Sequence, residues 1–316
     1  MIIIDYRNIC KIASYSILSG SIACSWPTET EEIASRIVKR IYCLLLDYSK
    51  PNDRIIFAND KPPYWRARYV NQWYSDRGLE PIGYKANRLS APWPFAASQE
   101  QINQIYALLL QQLAGAFGAT VIEDEGLEAD DIFGLITANV KTETITAISM
   151  DSDWRQLAGP SVTVVDPATG EQYMEPLDIR PKLVAGDRGD NVMGCPKAKK
   201  DGSAGTTSWG ISGAEKLVAK HPEDWDAKLD AAILEKNYNL IKLPCPLWDS
   251  AAAYSNLMDM AQTHGVGDTN GILDQYGITE PVRKQLSDKA ERQKWIEALR
   301  ARLQTANIPK PEVPAP

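Results

Sequence analysis

Acidic residues close one apolar run after another in the first two-thirds of this chain, and that repetition constrains its fold more than any other feature. Met1-Ile2-Ile3-Ile4 runs into Asp5, Arg54-Ile55-Ile56-Phe57-Ala58 into Asn59-Asp60, and Ile145 to Met150 into Asp151-Ser152-Asp153. Short apolar runs bounded by polar residues read as buried strands. Thr120-Val121-Ile122 and Val162 to Val165 extend the series. Between them lie helical periodicities. Thr28-Glu29-Thr30-Glu31 is a capping box that opens a helix through Ile33, Ile37, Ile41, Leu44 and Leu45. Ser98-Gln99-Glu100-Gln101 opens a second, through Ile102, Ile105, Leu109 and Leu113, that ends near Gly115 to Gly118. A third runs over Leu127 to Val140, and an aromatic, basic one over about Tyr64 to Arg77. Strand and helix in alternation predict an α/β fold with a doubly wound, mainly parallel sheet. The carboxyl ends of such strands converge on one crevice, so carboxylates placed there can gather around hard cations such as Mg²⁺.

The rest of the composition leaves the chemistry to those acids. Only two histidines occur, His221 and His264, which nearly excludes a Ser-His-Asp triad or a multi-histidine zinc site. The five cysteines, Cys10, Cys24, Cys43, Cys195 and Cys245, are odd in number and lack Cys-x-x-Cys spacing, so reduced structural thiols are expected. No long apolar run predicts a membrane span, and no signal-peptide pattern precedes Asp5, so a cytoplasmic location is expected, in the host cell if the chain is phage-encoded.

A net charge of −7 is unusual for a protein that grips a polyanion. Nine of its negative charges, however, belong to Asp5, Asp60, Glu128, Asp130, Asp131, Asp151, Asp153, Asp187 and Asp190, and the remainder is slightly basic. Lys61 to Arg88 holds six basic residues against two acidic ones, and Lys182 to Lys220 seven against four. Local charge governs contact with phosphates, so two basic patches flank the acidic series.

Each acid also has a plainer reading. Asp5 and Asp60 can cap the helix or turn that follows. Glu128, Asp130 and Asp131 stand at a helix N-terminus, where negative charge is favoured, but three within four positions exceed what capping needs. Glu128 and Asp131, three apart, share a face. Asp151 and Asp153 can form an Asx-turn through Ser152, and Asp190-Asn191 alone reads as a turn. After about residue 180 the pattern turns helical: Pro181 to Ala185, Gly213 to Lys220, Trp225 to Asn237, Ser250 to Thr263 and Asp288 to Gln304. The expected organisation is an α/β domain over 1–180, a helical subdomain over 181–305, and a proline-rich disordered tail over 306–316.

Taken in order, Ile55-Ile56-Phe57-Ala58-Asn59-Asp60 with Tyr64-Trp65-Arg66, Glu128-Ala129-Asp130-Asp131, Ser149-Met150-Asp151-Ser152-Asp153-Trp154-Arg155-Gln156-Leu157 and Gly186-Asp187-Arg188-Gly189-Asp190-Asn191-Val192 resemble the flap endonuclease and 5′ nuclease family, most closely its bacteriophage ribonuclease H branch. The resemblance spans roughly residues 1 to 220. It implies a PIN-like fold and a two-metal phosphodiester hydrolase that removes RNA primers and 5′ flaps in replication. Asp5, Asp60, Glu128 and Asp130 would serve one Mg²⁺, and Asp131, Asp151, Asp153, Asp187 and Asp190 another, some through water, with Mn²⁺ as a substitute. It implies a monomer that acts on branched or nicked DNA and RNA/DNA hybrids, with a sliding clamp or single-strand-binding protein as a partner. It also implies a helix-hairpin-helix-type element, a position that admits K⁺, which begins at Asp190-Asn191-Val192-Met193-Gly194-Cys195-Pro196 and resumes at Trp209-Gly210-Ile211-Ser212-Gly213-Ala214-Glu215-Lys216.

Two departures from the family pattern stand out. Residues 197–208 form an insertion in that element, whose Lys197, Lys199 and Lys200 either extend the phosphate contact or lie in a solvated loop. In the helix after Asp60, Arg66 fits the family arginine that holds the scissile phosphate, but Tyr74-Ser75-Asp76 stands where a lysine is expected, which leaves Arg77, Lys85 or Arg88 as the steering cation. Arg68, Gly210, Gly213 and Lys216 complete the expected nucleic-acid contacts. Trp65, Tyr69, Trp73 and Tyr74 either stack on unpaired bases or pack in the core. A PIN-like ribonuclease for single-stranded RNA shares the sheet and crevice without needing residues 187–216. A non-catalytic DNA-binding replication protein would have lost key acids, and none is missing.

Overall fold

The computed structural model describes residues 1–18, 27–87, 93–198, 204–227 and 229–288. Strand β1 (Ile2–Asp5) leads into helix α1 (Tyr6–Tyr15), which Asp5 caps by accepting the Asn8 amide at 3.1 Å. The two capping boxes form as expected, at the starts of α2 (Glu29–Tyr48) and, after β2 (Ile55–Ala58) and α3 (Trp65–Ser75), of α4 (Gln99–Phe117). Gly118 ends α4 at φ 63°, where glycine carries no steric cost. Then come β3 (Thr120–Ile122), α5 (Ala129–Asn139), β4 (Ile145–Ile148), a 3₁₀ turn (Ser152–Leu157), β5 (Val162–Val165) and β6 (Gln172–Tyr173). Helix α5 starts two residues later than the apolar pattern suggests. Glu128 is its N-cap, and the Asp131 side chain reaches back to the Glu128 amide at 3.1 Å.

Five parallel strands stand in the order β3-β2-β1-β4-β5, with β6 antiparallel at one edge. From β1 the chain moves outward to β2 and β3, then returns to β4 on the other side of β1. The gap between β1 and β4 is therefore the topological switch point, where the strand ends open a crevice. Side chains alternate across the sheet. Ile2, Ile4, Phe57, Val121 and Ile148 pack under α1, α2 and α4, while Ile3, Ile56, Ile122 and Ala147 pack under α5. Ile2, Ile3 and Ile4 are each 0% exposed, a burial that stabilises by about 1.5–3 kcal/mol per side chain.

The remaining chain comprises α6 (Arg180–Ala185), β7 (Gly186–Asp187), β8 (Val192–Met193), β9 (Pro196–Ala198), β10 (Ala204–Ser208), α7 (Ile211–Lys220), α8 (Ala231–Ile241), α9 (Ser250–Asp259), β11 (Gln262–Thr263), α10 (Thr269–Gln275) and α11 (Glu280–Ser287). Leu183, Val192, Leu240 and Ile241 form a small core of their own against Val70 and Tyr74 of α3. Across the expected boundary near 180 the later elements also contribute to the α/β cores. Leu257 of α9 enters the core beneath α5, β11 pairs antiparallel with β3, and Leu273, Ile278 and Leu286 join the core beneath α2 and α4. The helix expected over Ser250 to Thr263 stops at Asp259, because Gln262 and Thr263 are taken up as that edge strand. Trp225 to Ala227 form a turn rather than the start of the expected helix, and Asp230 caps α8 through the Ile233 amide. Residues 306–316, most of the helix expected over Asp288 to Gln304, Arg88, Lys199, Lys200 and Cys24 lie outside the described residues. Cys10, Cys43, Cys195 and Cys245 are buried. Among the described residues no helix is long and apolar enough to cross a membrane.

Candidate metal and nucleic-acid site

The acids of the switch point crowd one another. Asp5, 5% exposed, accepts from the Asn8 amide and, at 2.7 Å, from the Ser149 hydroxyl beyond β4. Burial, with the negative charges of Asp60 and Asp151 beside it, pushes its carboxyl up to about 7. Asp60 accepts the Ala129 amide at 2.8 Å, which ties the end of β2 to the first turn of α5. Asp130 accepts from the Trp154 indole at 2.7 Å. Burial, then the charges of Asp151 and Glu128, hold its carboxyl well above the ordinary range. Like-charge repulsion therefore links Asp60 to Asp5, Asp5 to Asp151, and Asp151 and Glu128 to Asp130.

A second group adjoins the first. Asp130, Asp153, Asp187 and Asp190 line one cavity of ≈ 10 Å³ with Arg66, Tyr84 and the apolar Val192, Leu240, Ile241 and Leu243. That is about the room one water needs. Asp187 and Asp190 arrive on the turn between β7 and β8, whose close crossing depends on glycine: a Cβ on Gly186 would stand 2.2 Å from the Val192 carbonyl oxygen, and one on Gly194 2.3 Å from that of Ala185. Burial raises the Asp153 carboxyl, against the pull of Lys182, to about 6. Lys182 Nζ lies 2.6 Å from both Asp153 oxygens and 2.6 Å from Asp187 Oδ2.

The loop before α4 completes the wall. Asn191 donates to the Ile82 and Gly83 carbonyls at 2.7 and 2.8 Å, the Lys85 amide to the Asp190 carbonyl at 2.9 Å, and Asn87 to the Arg188 carbonyl at 2.7 Å. So docked, the loop delivers the Lys85 ammonium to Glu128 and to within 3.7 Å of Asp190. The Tyr84 hydroxyl lies 2.9 Å from Glu128 Oε2 and 2.8 Å from Asp190 Oδ2, and with one proton it donates to one at a time.

Two of the expected site residues pair with each other. Arg66 lines the inner wall of the cavity rather than its mouth. It is 3% exposed and donates to Glu128, to both oxygens of Asp131 and to the Leu240 carbonyl. Asp131, 0% exposed, also accepts from the Trp65 indole and the Glu128 amide, so both its oxygens are engaged within the protein. The aromatic residues of α3 turn inward as well. Trp65 packs on Trp248, Tyr69 accepts from Asn239, Trp73 lies under Arg77 with 4.0 Å from guanidinium to ring centre, and Tyr74 is buried. Of the steering cations left open by sequence, Lys85 enters the crevice, Arg77 stacks on its own helix, and Arg88 is not among the described residues. Arg68 is exposed on α3.

The insertion expected over 197–208 pairs its ends as the antiparallel strands β9 and β10. Lys197 is exposed, its ammonium 5.5 Å from the centre of the Trp209 ring. Gly210 caps α7 with no side chain over the helix end, Gly213 lies beneath the Trp209 ring, and Lys216 is exposed.

The donor set suits hard divalent cations: it is all carboxylate, and among the described residues the internal cations Arg66, Lys85 and Lys182 pair with only some of the nine acids. Among the described residues no three His, Cys, Asp or Glu side chains already form a ligand sphere, because those internal cations hold several of the acids. Sequence reading missed Lys182, Tyr84, Ser149 and Trp154. Lys182 follows Arg180-Pro181 and Tyr84 precedes Lys85, so a search for cations and hydrogen-bond donors flanking each acidic motif would have found both.

A family model described as the 5′-3′ exonuclease, N-terminal resolvase-like domain, matches residues 2–184. DNA polymerase I of Mycobacterium tuberculosis is 31% identical over 130 residues, which is 36% of this chain and 14% of the polymerase, so the chain spans a small part of such relatives. The crystal structure of the bacteriophage T5 D15 flap endonuclease, as a pseudo-enzyme–product complex with DNA and metal ions, covers 87% of this chain and 98% of its own at 19% identity and a TM-score of 0.55. The T5 5′-exonuclease with bound zinc covers 87% of this chain and 99% of its own at 20% identity, with the same TM-score of 0.55. These likenesses show the fold, and with the family model matching more than half its length, the chain belongs to the 5′-3′ exonuclease family.

Proposed function

We propose that the chain is a divalent-metal-dependent 5′→3′ exonuclease and flap endonuclease that acts on branched or nicked DNA and on RNA/DNA hybrids, removing 5′ flaps and RNA primers in phage DNA replication. The observation that supports this reading best is the convergence of Asp5, Asp60, Asp130 and Asp151 at the β1/β4 switch point, with Lys85 on the wall beside them. Asp5, Asp60, Glu128, Asp130 and Asp151 would hold one Mg²⁺, and Asp130, Asp153, Asp187 and Asp190 a second, directly or through water. When bound, such ions lower the pKa of a bound water and stabilise charge on the attacking and leaving oxygens.

The chain's own residues supply position and charge. Ser149 and the Asn8 amide orient Asp5, the Ala129 amide orients Asp60, and the Trp154 indole orients Asp130. Lys85 offers its ammonium to a phosphate at the crevice, where it leaves one anionic partner for another. Behind the crevice the start of α7, with Lys216 and Lys197 nearby, suits duplex phosphates.

The test is cleavage of a 5′-flap DNA with Mg²⁺. Asp151→Asn is expected to abolish it while binding in Ca²⁺ stays nearly intact. Full activity of Asp151→Asn would remove the metal assignment. Cleavage of unstructured RNA in preference to flap DNA would overturn the substrate.

A further inference from the structure

We propose that the ammonium of Lys182 occupies the second cation position of the acidic crevice in the substrate-free chain, so that Lys182 and a divalent ion are alternative occupants between Asp153 and Asp187. This rests on the nuclease reading above and adds an order of events to it: the first ion binds the free chain readily, and the second enters weakly because it must displace Lys182, a displacement that a substrate phosphate favours.

The geometry is that of a bridging cation. One Nζ stands 2.6 Å from both oxygens of Asp153, on the 3₁₀ turn after β4, and 2.6 Å from Asp187, on the β7–β8 turn. Two carboxylates drawn together this way repel unless a positive charge lies between them. The adjoining cavity of ≈ 10 Å³ has room for about one water, not for a hydrated Mg²⁺ beside the ammonium. The two halves of the crevice are unequal in this respect. In the first half Arg66 and Lys85 reach only Glu128, at its rim, while among the described hydrogen bonds Asp5, Asp60 and Asp151 accept only from backbone amides and Ser149. Lys182 also has a way out. Its side chain is 22% exposed, on the short helix α6, and a lysine's four-carbon stem is flexible. A phosphate at the crevice mouth would compete with Asp153 and Asp187 for the ammonium, which couples arrival of the second ion to a correctly seated strand.

The experiment is Mn²⁺ binding to the full chain without nucleic acid, followed by the electron paramagnetic resonance of free Mn²⁺. The unaltered chain is expected to bind one ion tightly and a second about tenfold or more weakly, and Lys182→Met to strengthen the second step by about tenfold while the first is unchanged. Acetylation of lysines on the unaltered chain, read by mass spectrometry, gives the same answer without a variant: Lys182 is protected, and becomes reactive as Mn²⁺ fills the second position, with Lys61, 48% exposed, as internal standard. Two equally tight ions in the unaltered chain, or Lys182 labelling indifferent to Mn²⁺, overturns this inference and leaves the nuclease reading standing. A chain that binds no Mn²⁺ overturns both.

Discussion

Arg66 and Asp131 face each other in a two-point ion pair that solvent does not reach, with Nη2 2.8 Å from Oδ1 and Nη1 2.8 Å from Oδ2. The pair joins α3 to α5 and leaves Glu128 and Asp130, on the same helical turn, directed at the crevice. Removal of either partner strands a buried charge. Arg66→Ala and Asp131→Asn are each expected to destabilise the protein by about 3–5 kcal/mol, and Arg66→Lys to recover little, because an ammonium cannot reproduce the planar fork. Urea unfolding midpoints at constant m-value check this, and a loss under about 1 kcal/mol would contradict it.

Lys85 contacts Glu128 and approaches Asp190 at 3.7 Å. A positive charge used chiefly as negative charge develops on the phosphate acts on the rate rather than on binding. Lys85→Met is expected to lower the single-turnover cleavage rate of a 5′ flap by about 10²–10³-fold, with affinity in Ca²⁺ changed by less than about tenfold. Equal losses in both would make Lys85 a binding residue only.

Asp5 and Asp153 carry carboxyls pushed up by burial to about 7 and about 6, above the range of an unfolded chain. A raised acid binds more protons folded than unfolded, so its contribution is fully present below about pH 4 and lost as pH rises through 6 to 7. The metal-free protein is therefore expected to melt at a lower temperature at pH 7.5 than at pH 5. Mg²⁺, which replaces those protons, is expected to raise the melting temperature more at pH 7.5. Calorimetry at the two pH values decides, and an equal Mg²⁺ gain at both would contradict the account.

Much of this was legible in sequence for a physical reason. Strands covered on both faces, such as Ile2 to Ile4, leave continuous apolar runs, and the acid at each run's end marks the carboxyl edge. The edge strands Gln172–Tyr173 and Gln262–Thr263 are two residues long and leave no pattern, so the return of the chain to the sheet after residue 250 was hidden. The acids were found, but their partners were not. Whether Arg66 faces a phosphate or Asp131, and which of many lysines reaches Asp153, depends on how α3 and α6 dock, which no local spacing records. Lys85 became a distinct candidate only once Asn191 was seen to clamp its loop.

Lys236 is buried to 2% exposure, with its ammonium 5.0 Å from the Trp73 ring centre and 3.4 Å from the Met193 carbonyl oxygen. Burial lowers its pKa to about 8, below the unfolded value, so the unfolded chain binds more protons between about pH 8 and 10.5 and stability rises with pH there. Lys236→Met is expected to stabilise the protein at pH 7 by about 1–3 kcal/mol, with the gain shrinking above pH 8. Denaturant unfolding at pH 7 and 9.5 measures both, and destabilisation at pH 7 would show that the cation–π contacts outweigh the burial cost.

The proposed function stands on acids remote in sequence meeting at the β1/β4 switch point to hold divalent ions. Anomalous scattering from a crystal soaked in Mn²⁺ tests it most directly. A Mn²⁺ peak is expected within coordinating reach, directly or through one water, of Asp5, Asp60, Asp130 and Asp151. A Mn²⁺-saturated crystal with no peak among those four carboxylates would contradict it.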